Sequence, residues 1–165
     1  DSNLEAFRAL GRLSGSDAPV LFTGPDGSGR AHSARVLVAE SGLAGPVLEA
    51  GPDRMRREGA LLLEAAAGGA LILRRVEAWN EETQDWVLEA LETPRGDSPR
   101  ILATALPGVG QIARADLLSY LAVGRVDLPP LRKRGDDRAL LFAHFLQQSA
   151  TPRDLGPDVS AFINA

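Results

Sequence analysis

Cysteine is absent from the 165 residues, which excludes disulfides and thiolate metal sites. Histidine is scarce: His32 and His144 are the only two, far apart, and give no spacing suited to a structural metal centre. Positive charge is not in excess either. A formal net charge of -4 gives no support to a broad nucleic-acid-binding surface, although a local basic patch is compatible with it. No apolar run approaches the length of a membrane span. The N-terminus lacks the basic-then-apolar order of a secretory signal, and no internal repeat or low-complexity tract occurs. The chain starts at Asp1 without methionine, as a piece of a longer protein would, and the cytoplasm is the expected compartment.

What is present suits a single globular domain with a sizeable core: 44% hydrophobic residues and an ordinary 24% charged. Short β-rich runs alternate with longer helical ones. The candidate strands are Val20 to Thr23, Val47 to Glu49, Ala70 to Leu73, Ile101 to Thr104 and Arg125 to Leu128. The candidate helices are Leu4 to Leu13, Ala31 to Ser41, Arg54 to Ala67, Glu81 to Leu91, Ile112 to Leu121 and Asp136 to Gln148. The runs at 70–73 and 101–103 are continuously apolar, as in strands buried on both faces of a parallel sheet. Strands separated by helices of this length read as βαβ units. Gly68-Gly69, Pro94 to Pro99 and Pro107 to Gly110 are loop signals. After Gln148 the composition becomes that of a linker leading into one short helix, so 1–148 is expected as the α/β core and 149–165 as its appendage.

Residues 20–31 (VLFTGPDGSGRA) read as a strand, a glycine-rich turn and a helix start. The glycine spacing is that of the phosphate loop G-x-x-x-x-G-K-S/T, in the structural context that such a loop requires. Glycines let the backbone curl until several N–H groups and a helix N-terminus face one anion. The candidate nucleotide-binding residues are therefore Gly24, Asp26, Gly27, Ser28, Gly29, Arg30 and Ala31. Arg30 takes the lysine position and Ala31 the hydroxyl position. Arginine keeps the charge, but its planar fork cannot copy a compact ammonium. A plain glycine-rich βα turn is the competing reading.

Two further stretches narrow the choice. Residues 68–77 (GGALILRRVE) are similar to G-G-T-L-F-L-D-E-I, and residues 128–137 (LPPLRKRGDD), running on to 140–146 (LLFAHFL), are similar to L-P-P-L-R-E-R-x-x-D-I-P-L-L-x-x-H-F-L. Together with residues 16–29 they resemble, in the right order and over nearly the whole chain, the AAA+ central domain of sigma-54-dependent (NtrC-type) transcriptional activators. The resemblance implies an AAA+ P-loop NTPase-like three-layer sandwich with a mostly parallel five-stranded sheet. It also implies a lid, of which 157–164 would be at most the beginning.

The departures from the family pattern bear on function. In the family, the acidic pair after the Walker B strand holds the Mg2+ water shell and activates the attacking water; the matching positions are Arg74 and Arg75. Two basic groups there oppose a cation by several kcal/mol each at contact distance, on the order of Coulombic energies in a partly buried site, and leave no general base. The resemblance places the polar sensor position at Leu106, and the two arginines that act across subunits at Arg114 and Tyr120. No G-A-F-T-G-A segment, by which the family contacts the sigma factor, occurs: between Val47 and Gly69 there is room for one strand and one helix. No catalytic residue is expected intact and no metal is expected.

Three features are read more plainly. Arg54, Arg56 and Arg57 are a solvated helix face, or else a contact surface for an acidic partner. Trp79 and Trp86 suit packing more than a binding hot spot, and His32 suits an exposed helix position. Two functions stay open. One is a degenerate, pseudo-ATPase AAA+ module serving protein interaction or nucleotide sensing in a transcription regulator, with ATP or ADP held weakly and with little Mg2+ dependence, if at all. The other is an ATPase with atypical groups. Expected partners are other domains of the same regulator or another protein, without direct nucleic-acid or membrane contact, the domain itself being a monomer or small oligomer.

Overall fold

The structure, a computed structural model, describes residues 2–93, 97–111 and 113–134. The expected helix Asp136 to Gln148 and the appendage at 149–165 lie outside the described residues. Five strands, β1 (Val20–Thr23), β2 (Val47–Ala50), β3 (Ala70–Leu73), β4 (Arg100–Ala105) and β5 (Gly124–Asp127), form one parallel sheet in the order β2-β3-β4-β1-β5. The helices are α1 (Ser2–Leu13), α2 (Arg30–Glu40), α3 (Pro52–Ala65), α4 (Glu81–Glu92) and α5 (Ala115–Leu121).

Burial follows position in the sheet. The inner strands β1, β3 and β4 are buried at every residue, which is why each is built on a continuous apolar stretch, with Thr23, Arg100 and Thr104 as the buried polar exceptions. The edge strand β5 alternates, with Gly124 and Val126 buried and Arg125 and Asp127 exposed. One face of the sheet packs on α1 and α2 through Phe22, Leu37, Ile72 and Leu102. The other packs on α3, α4 and α5 through Leu21, Met55, Leu62, Leu71, Val87 and Leu117. The result is the expected three-layer sandwich. Gly45 and Gly69 bring the chain together where β2 and β3 begin: a Cβ on Gly69 would lie 2.0 Å from the Pro46 oxygen.

Local chemistry sets the helix ends. α2 starts where Gly29 takes a left-handed conformation (φ 91). Helix α3 starts two residues ahead of Arg54, because Pro52 sits in its first turn, where a missing N–H costs nothing. Asn80 caps α4 by accepting the Thr83 N–H at 3.1 Å. Helix α5 begins only at Ala115, since Arg114 is non-helical and serves as its N-cap. Trp79 precedes α4 instead of lying on it; it is buried, whereas Trp86 lies on α4 and is half-buried.

Candidate functional site

Three segments meet at the carboxyl edge of the sheet: the turn after β1 and the chain leaving β3 and β4. The turn has the curl that its glycines permit, with Gly27 at φ 76 and Gly29 at φ 91. It is tied to β4 by the Gly24 N–H, which donates to the Ala105 carbonyl at 3.3 Å. It is also tied to the chain after β5: the Arg134 Nη2 donates to the Ser28 carbonyl at 2.5 Å, and its Nε to Pro129 at 3.0 Å. The first N–H groups of α2 have no partner within the helix, as at any helix start, and add to the loop's capacity for an anion.

Arg30 folds back over the loop to Asp26, with Nη2 2.7 Å from Oδ1; its side chain is 11% exposed, against 85% for Asp26. The Arg30 Nη1 and the Ser28 hydroxyl are buried without a hydrogen-bond partner. Two orphaned buried donors in one glycine-rich turn fit a phosphate-bearing ligand. Ala31 adds no hydroxyl. At the floor of the loop the Thr23 hydroxyl donates to Asp127 on β5. Burial pushes the Asp127 carboxyl upward, but hydrogen bonds from Arg125 and Thr23 outweigh it and hold the group below the usual range.

The end of β3 carries guanidinium groups. Arg74 is half-exposed and lies 4.0 Å from Glu49, a carboxylate already engaged by Arg35 on α2. Arg75 is the one non-glycine residue with a positive φ (58) among the described residues. Such a conformation costs on the order of 1–3 kcal/mol unless the surroundings enforce it. They do so here: its N–H donates to the buried Thr104 hydroxyl on β4 at 3.1 Å, and its Nε lies 3.5 Å from Glu77. Glu77, whose side chain is 6% exposed, accepts the Leu106 N–H at 3.2 Å. Arg75, Thr104, Glu77 and Leu106 thus link the ends of β3 and β4 directly. Among the described residues no group of acidic, histidine or cysteine side chains could hold a metal ion.

β4 lies between the strands that carry the loop and the arginine pair, so Leu106 is the position between them. The two remaining positions, Arg114 and Tyr120, lie apart. Arg114 is held within its own chain, by Asp116 (Nε to Oδ1 3.0 Å), by Asp85, and through its N–H by Gln84 at 2.8 Å. The bonds to Asp116 and then Asp85 raise its pKa above the usual arginine value. Tyr120, in the last turn of α5, is half-buried against the core near Pro99 and Ile101, at the opposite edge of the sheet. Sequence reasoning had passed over Thr104, Glu77 and Arg134; Glu77 stands inside the β3 motif, but its partner Leu106 is far along the chain. Arg54 and Arg56 are exposed and pair locally with Glu58 and Asp53, and His32 is exposed on α2.

A five-stranded parallel sheet in this order, with a phosphate loop after β1, is the fold of an AAA+ P-loop NTPase domain. The family described as Sigma-54 interaction domain matches residues 3–131, and the chain belongs to it. The C4-dicarboxylate transport transcriptional regulatory protein DctD of Pseudomonas aeruginosa is 32% identical over 197 aligned positions, covering 92% of this chain and 42% of its own. The DNA-binding transcriptional regulator NtrC of Escherichia coli (strain K12) is 30% identical over 188 positions, covering 92% of this chain and 40% of its own. Both alignments are longer than the chain itself, so each relative carries residues within the aligned span that this chain lacks. Among solved structures, NtrX from Brucella abortus in complex with ATP superposes with a TM-score of 0.82 at 28% identity, covering 99% of this chain and 46% of that one. An NtrX structure with ADP superposes equally well, at a TM-score of 0.82, with 28% identity and coverage of 99% of this chain and 45% of that one. This chain therefore spans less than half the length of these relatives.

Proposed function

We propose that this domain is a degenerate AAA+ module of a transcription regulator, which has given up ATP hydrolysis and serves as a regulatory protein-interaction or nucleotide-sensing unit. The observation that carries this reading is the pair Arg74 and Arg75 at the end of β3, with Leu106 beside them at the end of β4. A divalent cation placed there would face two guanidinium groups where the family has its acidic pair, and neither arginine can serve as a base for a water. The phosphate loop keeps its form, and the NtrX relative binds ATP and ADP in its crystals. Nucleotide is accordingly held by the turn at 24–31 through its backbone N–H groups and Arg30, weakly and with little gain from Mg2+. One unbroken helix, α3, joins β2 to β3, where the resemblance would put a sigma-factor contact loop. The partner is then another domain of the same regulator or a different protein, with no direct nucleic-acid contact.

Glu77 supports a second reading, an ATPase with atypical groups, because one buried carboxylate survives beside the sensor position. Calorimetric titration with ATP and ADP, with and without Mg2+, combined with a turnover assay, separates the two. The degenerate module shows no turnover and an affinity that changes less than about threefold with Mg2+, under 1 kcal/mol. Steady turnover that vanishes in both Arg30→Ala and Glu77→Gln would establish the atypical ATPase instead.

A further inference from the structure

At the amino edge of the sheet, away from the phosphate loop, α3 and α4 enclose a groove of about 500 Å3. Each helix contributes one stripe at i, i+3, i+4 spacing: Ala60, Leu63 and Glu64 from α3, and Trp86, Glu89 and Ala90 from α4. Ile101 and Tyr120 lie beneath. The Trp86 ring rests directly on the α3 backbone, since a Cβ on Gly59 would lie 2.5 Å from its Cζ3. The ring is thus fixed as a wall of the groove, not free to fill it.

Among the described residues, the charged side chains that line this groove, Glu64, Glu89 and Asp97, are all acidic and exposed, and none of the three pairs with a cation. Both α3 and α4 end here, adding the negative ends of their dipoles. At the position where the family resemblance would put an arginine, Tyr120 contributes apolar surface instead. An apolar floor under unpaired carboxylates is complementary to an apolar anchor with basic flanks.

We propose that this groove docks a protein segment that carries a large aliphatic or aromatic side chain between lysines or arginines. The inference rests on the interaction-module reading only in requiring a partner. Nucleotide titration does not touch the groove, so either idea can fail while the other stands.

The test uses the whole 165-residue chain and three labelled peptides, KKLFLKK, EELFLEE and KKSGSKK, followed by fluorescence anisotropy. Saturable binding is expected for KKLFLKK alone. In the double variant Glu64→Lys/Glu89→Lys, whose changes are on exposed helix positions, KKLFLKK binds at least about tenfold more weakly and EELFLEE gains. A second variant, Ala60→Arg, blocks the groove and weakens KKLFLKK similarly. Circular dichroism confirms that both variants are folded. Failure of KKLFLKK to saturate, equal binding of KKSGSKK, or indifference to both variants would overturn the proposal.

Discussion

Arg100 shows how much one buried charge can hold together. Its side chain is buried where β4 begins, and its guanidinium donates to the Leu13 carbonyl at the end of α1 (2.7 Å) and to the Ser41 hydroxyl after α2. Burial lowers its pKa, and Asp17 pulls in the opposite direction. Arg100→Ala leaves both acceptors without their donor and should destabilise the domain by about 1–3 kcal/mol in urea unfolding. A change within about 0.5 kcal/mol would show the bonds to be incidental. Asp116 offers a pH readout. The hydrogen bond from Arg114, with another from the Leu117 N–H, lowers its pKa from 3.8 to about 2. A depressed carboxylate contributes stability that is complete above its unfolded pKa of about 4 and is lost as pH falls through its folded value. Carbon-detected NMR titration of Asp116 should therefore give a midpoint near 2, rising toward the ordinary value in Arg114→Ala. An unchanged midpoint would mean that the pair does not form in solution.

The phosphate loop depends on elements that come late in the chain. Gly24 is pressed against the segment after β5: a Cβ there would lie 2.7 Å from the Leu128 carbonyl and 2.5 Å from the Ser28 hydroxyl. The hydroxyl can rotate but the carbonyl belongs to the backbone. Gly24→Ala should cost about 1–3 kcal/mol through overpacking and should weaken any nucleotide binding, as thermal denaturation and calorimetry would show. Full stability in this variant would mean that the loop and the β5 segment move independently. Strands β1 and β3 were legible to the residue, because strands buried on both faces carry continuous apolar stretches, here 20–22 and 70–73. β4 extends one residue further at each end, to Arg100 and Ala105, since a buried arginine does not register as apolar. Trp79 packs ahead of α4, its indole N–H donating to the Arg74 carbonyl at 3.3 Å.

For the whole molecule, the arrangement bears on assembly. Arg114 is engaged by Asp116 and Asp85 of its own chain, and Tyr120 faces the groove at the other edge of the sheet. Arg114 would have to leave these partners to reach a nucleotide held by a neighbouring copy, and Tyr120 brings no positive charge to one, so light scattering should find a monomer or small oligomer with and without ATP. A stable hexamer without nucleotide would return ring assembly to the centre of the account. The sequence by itself determined the α/β class, the phosphate loop, the family and the basic pair after β3, because each is written in a contiguous stretch whose burial or backbone demands are local. The tertiary structure alone decided that β4 separates β1 from β3, that Thr104 and Glu77 brace Arg75, that Arg134 grips the loop, and that α3 and α4 enclose an acidic-rimmed groove. The physical reason is distance along the chain. Each of these depends on partners brought together by the order of the strands, and that order leaves no periodicity in the sequence to read.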